Sequence, residues 1–404
     1  MTPRKPYAIY AITRHGLGIA ARLAPQLPGA ELLVPDKLRA AVPTGVTAEV
    51  VQLPFPMGPF LATAFTAYDC HIFIISVGAV VRMIAPLLVD KKVDPAVVCI
   101  DDDARFAICV LSGHVGRGNA FTGRIAEALG AQPVITTASD VRGTLTVDIL
   151  GRELGWRLDD PDRNVTRGCA AVVNAEPVAF VQETGEPSWW PESQALPEGV
   201  SYVTELDAVD PRRYEILLIA SDRELRDSHP AHWANAVVYR PKSLILGLGC
   251  DRGTPTELAA RGIASLLARH GLAPASVKAI ATIDKKHDEV AFLELSERFG
   301  WPIVTYSAEE LDAVPGITAP SEVVKRHVGT RGVAEPAALL AAGTGAALIV
   351  PKERYTEPEA GRSMTLAVAR IAFARRRPVA PRTQTEATAD PAVRPRPHAP
   401  EVTP

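Results

Sequence analysis

The chain has 404 residues, of which 47% are hydrophobic and 22% charged, and a formal net charge of -3. It is too long for one ordinary core and suits two or three globular domains, and it lacks the overall basic field that recruits nucleic acid or an anionic membrane. Cys70, Cys99, Cys109, Cys169 and Cys250 are odd in number and form no Cys-x-x-Cys pair, which argues for a reducing compartment and against a structural zinc site or a disulfide framework.

Only a short apolar run, 7–12, follows the positively charged start of the chain. No uncharged apolar stretch is long enough to cross a bilayer, so a cytoplasmic protein is expected. Residues 7–12 read as a first strand and 13–16 as a turn, followed by an alanine-rich helix over 18–27 and a strand over 31–34. The proline-rich stretch 43–59 is expected to be a loop, and a helix over 60–68 precedes a buried strand at 72–75. This alternation points to a βαβ layout with a largely parallel sheet. Asp101, Asp102 and Asp103 break two apolar runs, 97–100 and 105–111, and predict a hairpin that makes the sheet mixed. Beyond it come a helix over 117–129, a strand over 133–136, a polar corner at 137–140 and a helix over 143–154.

Residues 156–238 hold few long periodic segments, and short apolar runs at 170–173 and 215–219 read as strands of a small middle domain. Arg240-Pro241-Lys242 marks a boundary, after which a regular alternation resumes. Strands are expected at 243–250, 277–282, 303–306, 347–350 and 364–370, with helices at 255–270, 289–299 and 335–342. The fold class is α/β: two Rossmann-like domains, 1–145 and 241–373, flank a smaller α/β middle domain, 146–240. A tail, 374–404, rich in Pro and Arg, cannot bury enough apolar area to order itself.

The run Leu111-Ser112-Gly113-His114-Val115-Gly116-Arg117-Gly118-Asn119 sits where a strand hands over to a helix, the place where open α/β sheets bind ligands. Its glycines let backbone amides approach a ligand, and the helix start favours a carboxylate or oxyanion. His114 then serves as a general acid or base, or else merely caps the helix; the residues leave both open. The run is no dinucleotide fingerprint, because Phe121 stands where the third glycine belongs. No nucleophile elbow, His-Glu-x-x-His or Walker loop is present.

Thr254, Pro255 and Glu257 have the spacing of a capping box, which leaves Arg252 just before it free to bind an anion. Lys285, at the end of a strand, either is solvated or holds a substrate carboxylate. Ser321 suits a helix cap, and Glu335 leads an alanine-rich helix as a cap or a general base. Arg82 and Asp140 belong to segments able to face the Gly113-His114 loop, each with a salt bridge or cap as the simpler reading.

Taken together, the runs 76–82 and 84–88, Leu111-Ser112-Gly113-His114, Gly116, Asn119 and 134–137 resemble the N-terminal part of the cobalamin-biosynthesis CbiG family. The runs 247–250, 252–254 and 281–286, Ser321 and 335–339 resemble the C-terminal part of the same family and its stand-alone relative CobE. The likeness extends from residue 7 to about 372. Two departures stand out: Gly116-Arg117-Gly118-Asn119 replaces a Gly-Gly-Ala-Asn run, and Ala334 replaces a cysteine. The resemblance implies a cobalt-precorrin-5A hydrolase that opens the ring A δ-lactone of a cobalt-containing tetrapyrrole with release of acetaldehyde. It implies His114 and Glu335 as catalytic groups, with Arg82, Gly113, Gly116, Asn119, Asp140, Arg252, Thr254, Lys285 and Ser321 around the substrate. The cobalt would be carried by the substrate, with no cofactor or metal site of the protein's own, and other enzymes of the corrin pathway are the candidate partners. A non-catalytic carrier of corrinoid intermediates is the alternative.

Overall fold

The computed structural model describes residues 3–374 except 319, 358 and 360, with the side chains of 140, 141, 323 and 327 also left out. The expected tail from 375 onward lies outside the described residues. Two compact units are present, one built mainly from residues up to 240 and the other mainly from 241 onward, the latter also taking 183–201 and 221–224.

The first sheet holds β1 (Lys5–Tyr10), β2 (Ala30–Val34), β3 (Glu49–Gln52), β4 (Tyr68–Ile74), β5 (Ala96–Ile100), β6 (Phe106–Leu111) and β7 (Gln132–Val134). Their spatial order is β3-β2-β1-β4-β5-β6-β7, with only the β5–β6 pair antiparallel. The aspartate-rich hairpin and the mixed sheet are thus as expected. Strands β1, β2, β4 and β5 are apolar on both faces because helices cover both. Ile9, Leu32, Ile72 and Val98 pack with Leu17, Leu23 and Ile125, while Tyr10, Leu33 and Phe73 pack with Leu61, Val80 and Ile84. The helix Arg14–Leu23 starts earlier than expected because Thr13 caps it, accepting from the Gly16 amide at 2.9 Å. The expected loop 43–59 contains the edge strand β3.

A second sheet holds β8 (Arg157–Leu158), β9 (Val178–Gln182), β10 (Val200–Val203), β11 (Ile216–Ala220) and β12 (Ala236–Arg240), in the order β10-β9-β11-β12-β8. Residues 170–173, expected as a strand, belong to the helix Val165–Val173. Val165, Gly168, Ala171 and Val172 are its buried positions, a helical spacing that the short apolar run conceals.

The third sheet holds β13 (Leu244–Cys250), β14 (Val277–Ile283), β15 (Ile303–Tyr306), β16 (Ala347–Glu357) and β17 (Arg362–Arg370), in the order β15-β14-β13-β17-β16. Helices Thr256–Arg269 and Val290–Phe299 cover one face through Leu258, Ile263, Leu266, Phe292 and Leu295. The other face takes Ala334–Ala342 so closely that a Cβ at Gly247 would lie 1.8 Å from the Ala334 carbonyl oxygen. Glycine is obligatory there. Among the described residues, no helix is long and apolar enough to cross a membrane.

Candidate active site and a cationic cavity

Strands β6 and β7 are parallel neighbours, so the loop after β6 and the corner after β7 emerge side by side at their carboxyl ends. The first delivers His114 and the second Ser139. Between them the Nε2 atom of His114 and the Ser139 Oγ are 3.0 Å apart. On the far side of the ring, His114 Nδ1 lies 3.3 Å from Asp148 Oδ1, and both of those side chains are 16% exposed. Asn119, on the helix Gly118–Leu129, donates from Nδ2 to Thr137 Oγ1 at 2.9 Å and so ties the loop to the corner.

The loop holds its shape by bonding to itself. The amides of Arg117, Gly118 and Asn119 donate to the carbonyls of His114, Ser112 and Gly113, each at 2.9 Å. The amides of Arg117, Gly118 and Asn119, at the helix start where an anion was expected, are thus engaged within the loop. Ser112 and Arg117 adopt left-handed backbone, with φ of 55° and 64°. A Cβ at Gly118 would sit 2.7 Å from the Leu111 carbonyl oxygen and 2.9 Å from Cys109 Sγ, so glycine here answers crowding. Gly113 and Gly116 are crowded too, by the Asn119 side chain and by Ser112.

Gly113, His114 and Asn119 line a cavity of about 490 Å³ together with Arg117, Arg124 and Arg152. Arg152 donates to the Val115 carbonyl at 2.7 Å and the His114 carbonyl at 3.2 Å, and Arg117 pairs with Glu153 at 2.7 Å. Burial and then the neighbouring Arg117 push the Arg152 guanidinium below its usual range. These cations supply what the consumed amides do not, a positive lining for a polyanionic ligand.

Asp148 and Arg152 come from a segment expected to be helical, 143–154. It is instead a series of turns ending in a short 3-10 helix, Arg152–Leu154, with Gly143, Gly151 and Gly155 all at positive φ. Thr144, Thr146, Val147 and Ile149 are β-branched and the glycines favour turns, so helix loses. That misreading hid Asp148; the alternation of glycine and β-branched residues was the available signal.

Of the other expected residues in this unit, Arg82 is exposed on the helix Val77–Ile84 and donates to the Gly78 carbonyl at 2.9 Å, without lining this cavity. The side chain of Asp140 lies outside the described residues.

The second unit has its own cavity of about 420 Å³. Arg252, Lys285, Lys286 and Lys352 line it against Ile283, Val328 and Met364. Arg252 bonds Asp288 Oδ1 at 2.5 Å and the Lys285 carbonyl at 2.8 Å, and the first of these bonds holds Asp288 below the usual carboxylate range. Lys285 Nζ donates to the Val328 carbonyl at 3.0 Å. Lys286 is 14% exposed and pairs at 2.9 Å with Glu289, itself 2% exposed. Burial pushes the Cys250 thiol up.

The expected capping box at Thr254 is absent. Pro255 stays extended, with ψ of 136°, and the helix begins at Thr256. Thr254 instead donates to the Asp251 carbonyl at 2.7 Å, and Glu257 accepts from Arg298 at 3.0 Å. Ser321 does cap the helix Glu322–Val328, accepting from the Val324 amide at 3.3 Å. Glu335 is 2% exposed and does not line the cavity. Its carboxylate accepts from the Thr318 amide at 2.6 Å, the Thr318 hydroxyl and the Lys352 amide at 2.8 Å. That geometry makes it a clasp between backbone segments, where a helix cap or a general base was expected.

Three family models match successive stretches of the chain: the cobalamin synthesis G N-terminal region over 59–140, the cobalamin biosynthesis central region over 145–241, and the cobalamin synthesis G C-terminus over 244–369. The chain is 40% identical to the cobalt-precorrin-5A hydrolase of Priestia megaterium over 353 residues, covering 87% of this chain and 93% of that one. It is 33% identical to the Salmonella typhimurium enzyme of the same name over 341 residues, covering 82% and 91%. Against Protein CobE of a Sinorhizobium species it is 42% identical over 110 residues, covering 27% of this chain and 71% of that one.

Proposed function

The chain belongs to the cobalamin synthesis G family, and on that premise we propose that it is a cobalt-precorrin-5A hydrolase. The observation that carries this reading is the identity running across 93% of a relative so named, in a chain whose own His114 meets Asp148 beside a cationic cavity. Its reaction would open the ring A δ-lactone of a cobalt-containing tetrapyrrole and release acetaldehyde. The cobalt travels in the substrate, and the protein contributes side chains and no cofactor of its own. Such a substrate is flat and bears many carboxylates, which suits the arginines around His114 and the Arg252 and Lys285 cavity of the second unit. We place the reaction in the cytoplasm, with the neighbouring enzymes of the corrin pathway as partners in transfer.

In this scheme the Asp148 carboxylate, 3.3 Å from Nδ1, stabilises the charged imidazole electrostatically, and His114 carries the proton. It takes a proton from the attacking oxygen and gives one to the departing C20 oxygen. Once the lactone is open, loss of a proton from the C20 hydroxyl and cleavage of the bond from C20 to the ring deliver acetaldehyde and return the electron pair to the macrocycle.

The test is His114→Ala with cobalt-precorrin-5A as substrate. Acetaldehyde release should vanish while corrinoid binding, followed by absorbance on a gel-filtered complex, persists; turnover like that of the unaltered chain would defeat the assignment. The cationic cavity of the second unit also favours a carrier reading, which takes over if the unaltered chain binds the corrinoid and never yields acetaldehyde.

A further inference from the structure

We propose that Ser139 is the nucleophile of the lactone opening, so that the reaction proceeds through an ester between Ser139 and the ring A acyl group. This rests on the hydrolase reading and deepens it, because that reading leaves the attacking oxygen unnamed.

The argument starts from the two nitrogens of His114. Asp148 Oδ1 stands 3.3 Å from Nδ1 without forming a hydrogen bond, and its charge beside that nitrogen favours the tautomer that carries the ring proton on Nδ1. Nε2 then carries a lone pair, and its partner at 3.0 Å is the Ser139 Oγ, which must donate. A hydroxyl donating to a neutral imidazole whose other nitrogen faces a carboxylate is an arrangement that activates a weak nucleophile. With Nε2 engaged by Ser139, a water could reach that nitrogen only by displacing the hydroxyl. The proton His114 is placed to take is therefore that of Ser139.

Sequence inspection misses this set because its members are not adjacent and no nucleophile elbow carries the serine. Ser139 sits instead in the helix Ala138–Arg142 just past β7, and Asp148 in the turns beyond. The parallel pairing of β6 with β7 brings Ser139 to His114, and the Asn119 to Thr137 bond at 2.9 Å holds the two segments together.

The step balances without any co-reactant. The Ser139 Oγ bonds to the lactone carbonyl carbon and the bond from that carbon to the C20 oxygen breaks. The proton lost by Ser139 passes through His114 to the departing oxygen. Water then attacks the ester, its proton goes to His114, the bond to Oγ breaks and Ser139 recovers its proton.

The experiment has two arms on the full chain. In the first, the chain is quenched in acid during turnover of cobalt-precorrin-5A, and its peptides are weighed. A corrinoid acyl adduct on the Ser139 peptide is expected, and Ser139→Ala should lose about 10³-fold or more in acetaldehyde release. Retention of the rate within about tenfold in Ser139→Ala, or its loss with no adduct in the unaltered chain, overturns the proposal. Ser139→Cys guards against misfolding, since it keeps a nucleophile and should accumulate a thioester. In the second arm the small acyl donor 4-nitrophenyl acetate replaces the corrinoid. Acetylation at Ser139 that His114→Ala abolishes is expected, and its absence counts against the nucleophile. Acetylation in a chain that never releases acetaldehyde defeats the assigned substrate and leaves the nucleophile standing.

Discussion

His114 Nδ1 and Asp148 Oδ1 face each other at 3.3 Å, a pairing of a glycine-flanked loop with a segment of turns. Asp148 touches the imidazole rather than the ligand-facing wall, so it acts by positioning. Asp148→Asn should lower kcat by about 10³-fold to 10⁴-fold with KM nearly unchanged, because the amide favours the wrong ring tautomer. Steady-state acetaldehyde kinetics separate this from structural damage, which would raise KM and lower the melting temperature as well.

Glu335 gives the opposite pattern. Its carboxylate accepts from both amide and hydroxyl of Thr318 and from the Lys352 amide. Glu335→Gln should cost about 1–3 kcal/mol in urea unfolding by leaving a buried donor unpaired. Turnover of the folded protein should stay within about tenfold, and a far larger fall would restore this residue to the chemistry.

Lys286 and Glu289 form an ion pair at 2.9 Å in which the carboxylate is almost wholly buried. Without the lysine, Glu289 keeps the Gly253 amide at 2.8 Å and the Arg252 guanidinium at 3.8 Å. Lys286→Met should destabilise the chain by about 3 kcal/mol, and adding Glu289→Gln should recover much of that loss. A double-mutant cycle in urea measures both.

His71 predicts a pH dependence. It is enclosed, bonded through Nδ1 to the Tyr10 hydroxyl and through Nε2 to the Phe65 carbonyl, each at 2.9 Å. Burial lowers its pKa to about 4, from 6.5 in the unfolded chain. The folded protein therefore holds a neutral ring while the unfolded chain binds a proton. This contribution is complete above pH 6.5 and is lost as pH falls towards 4, by about 3 kcal/mol in all. Denaturation midpoints between pH 4 and pH 7 should fall less steeply in His71→Gln than in the unaltered chain.

Much of this was legible in the residues. Continuous apolar runs marked β4 and β5, the aspartates marked the hairpin, and a strand leading into glycines marked the His114 loop. Ser321 announced its own cap. Partners brought together by strand pairing and turns were not legible. Residues 143–154 read as one helix, which would have carried Asp148 away from the ring; packing of Gly151 against Trp156 helps to set the turns that return it. Glu335 is ambiguous in the sequence for a related reason, since nothing local tells a carboxylate that greets a substrate from one that clasps Thr318.

The amides of Arg117, Gly118 and Asn119 are satisfied within their own loop before anything enters the neighbouring cavity. The geometry of that loop is thus settled in advance, and a ligand arriving there finds little freedom to quench. Variants of this corner that fold should consequently differ in how fast bonds are made and broken, while hydrogen exchange at Gly118 and Asn119 stays slow with or without a guest.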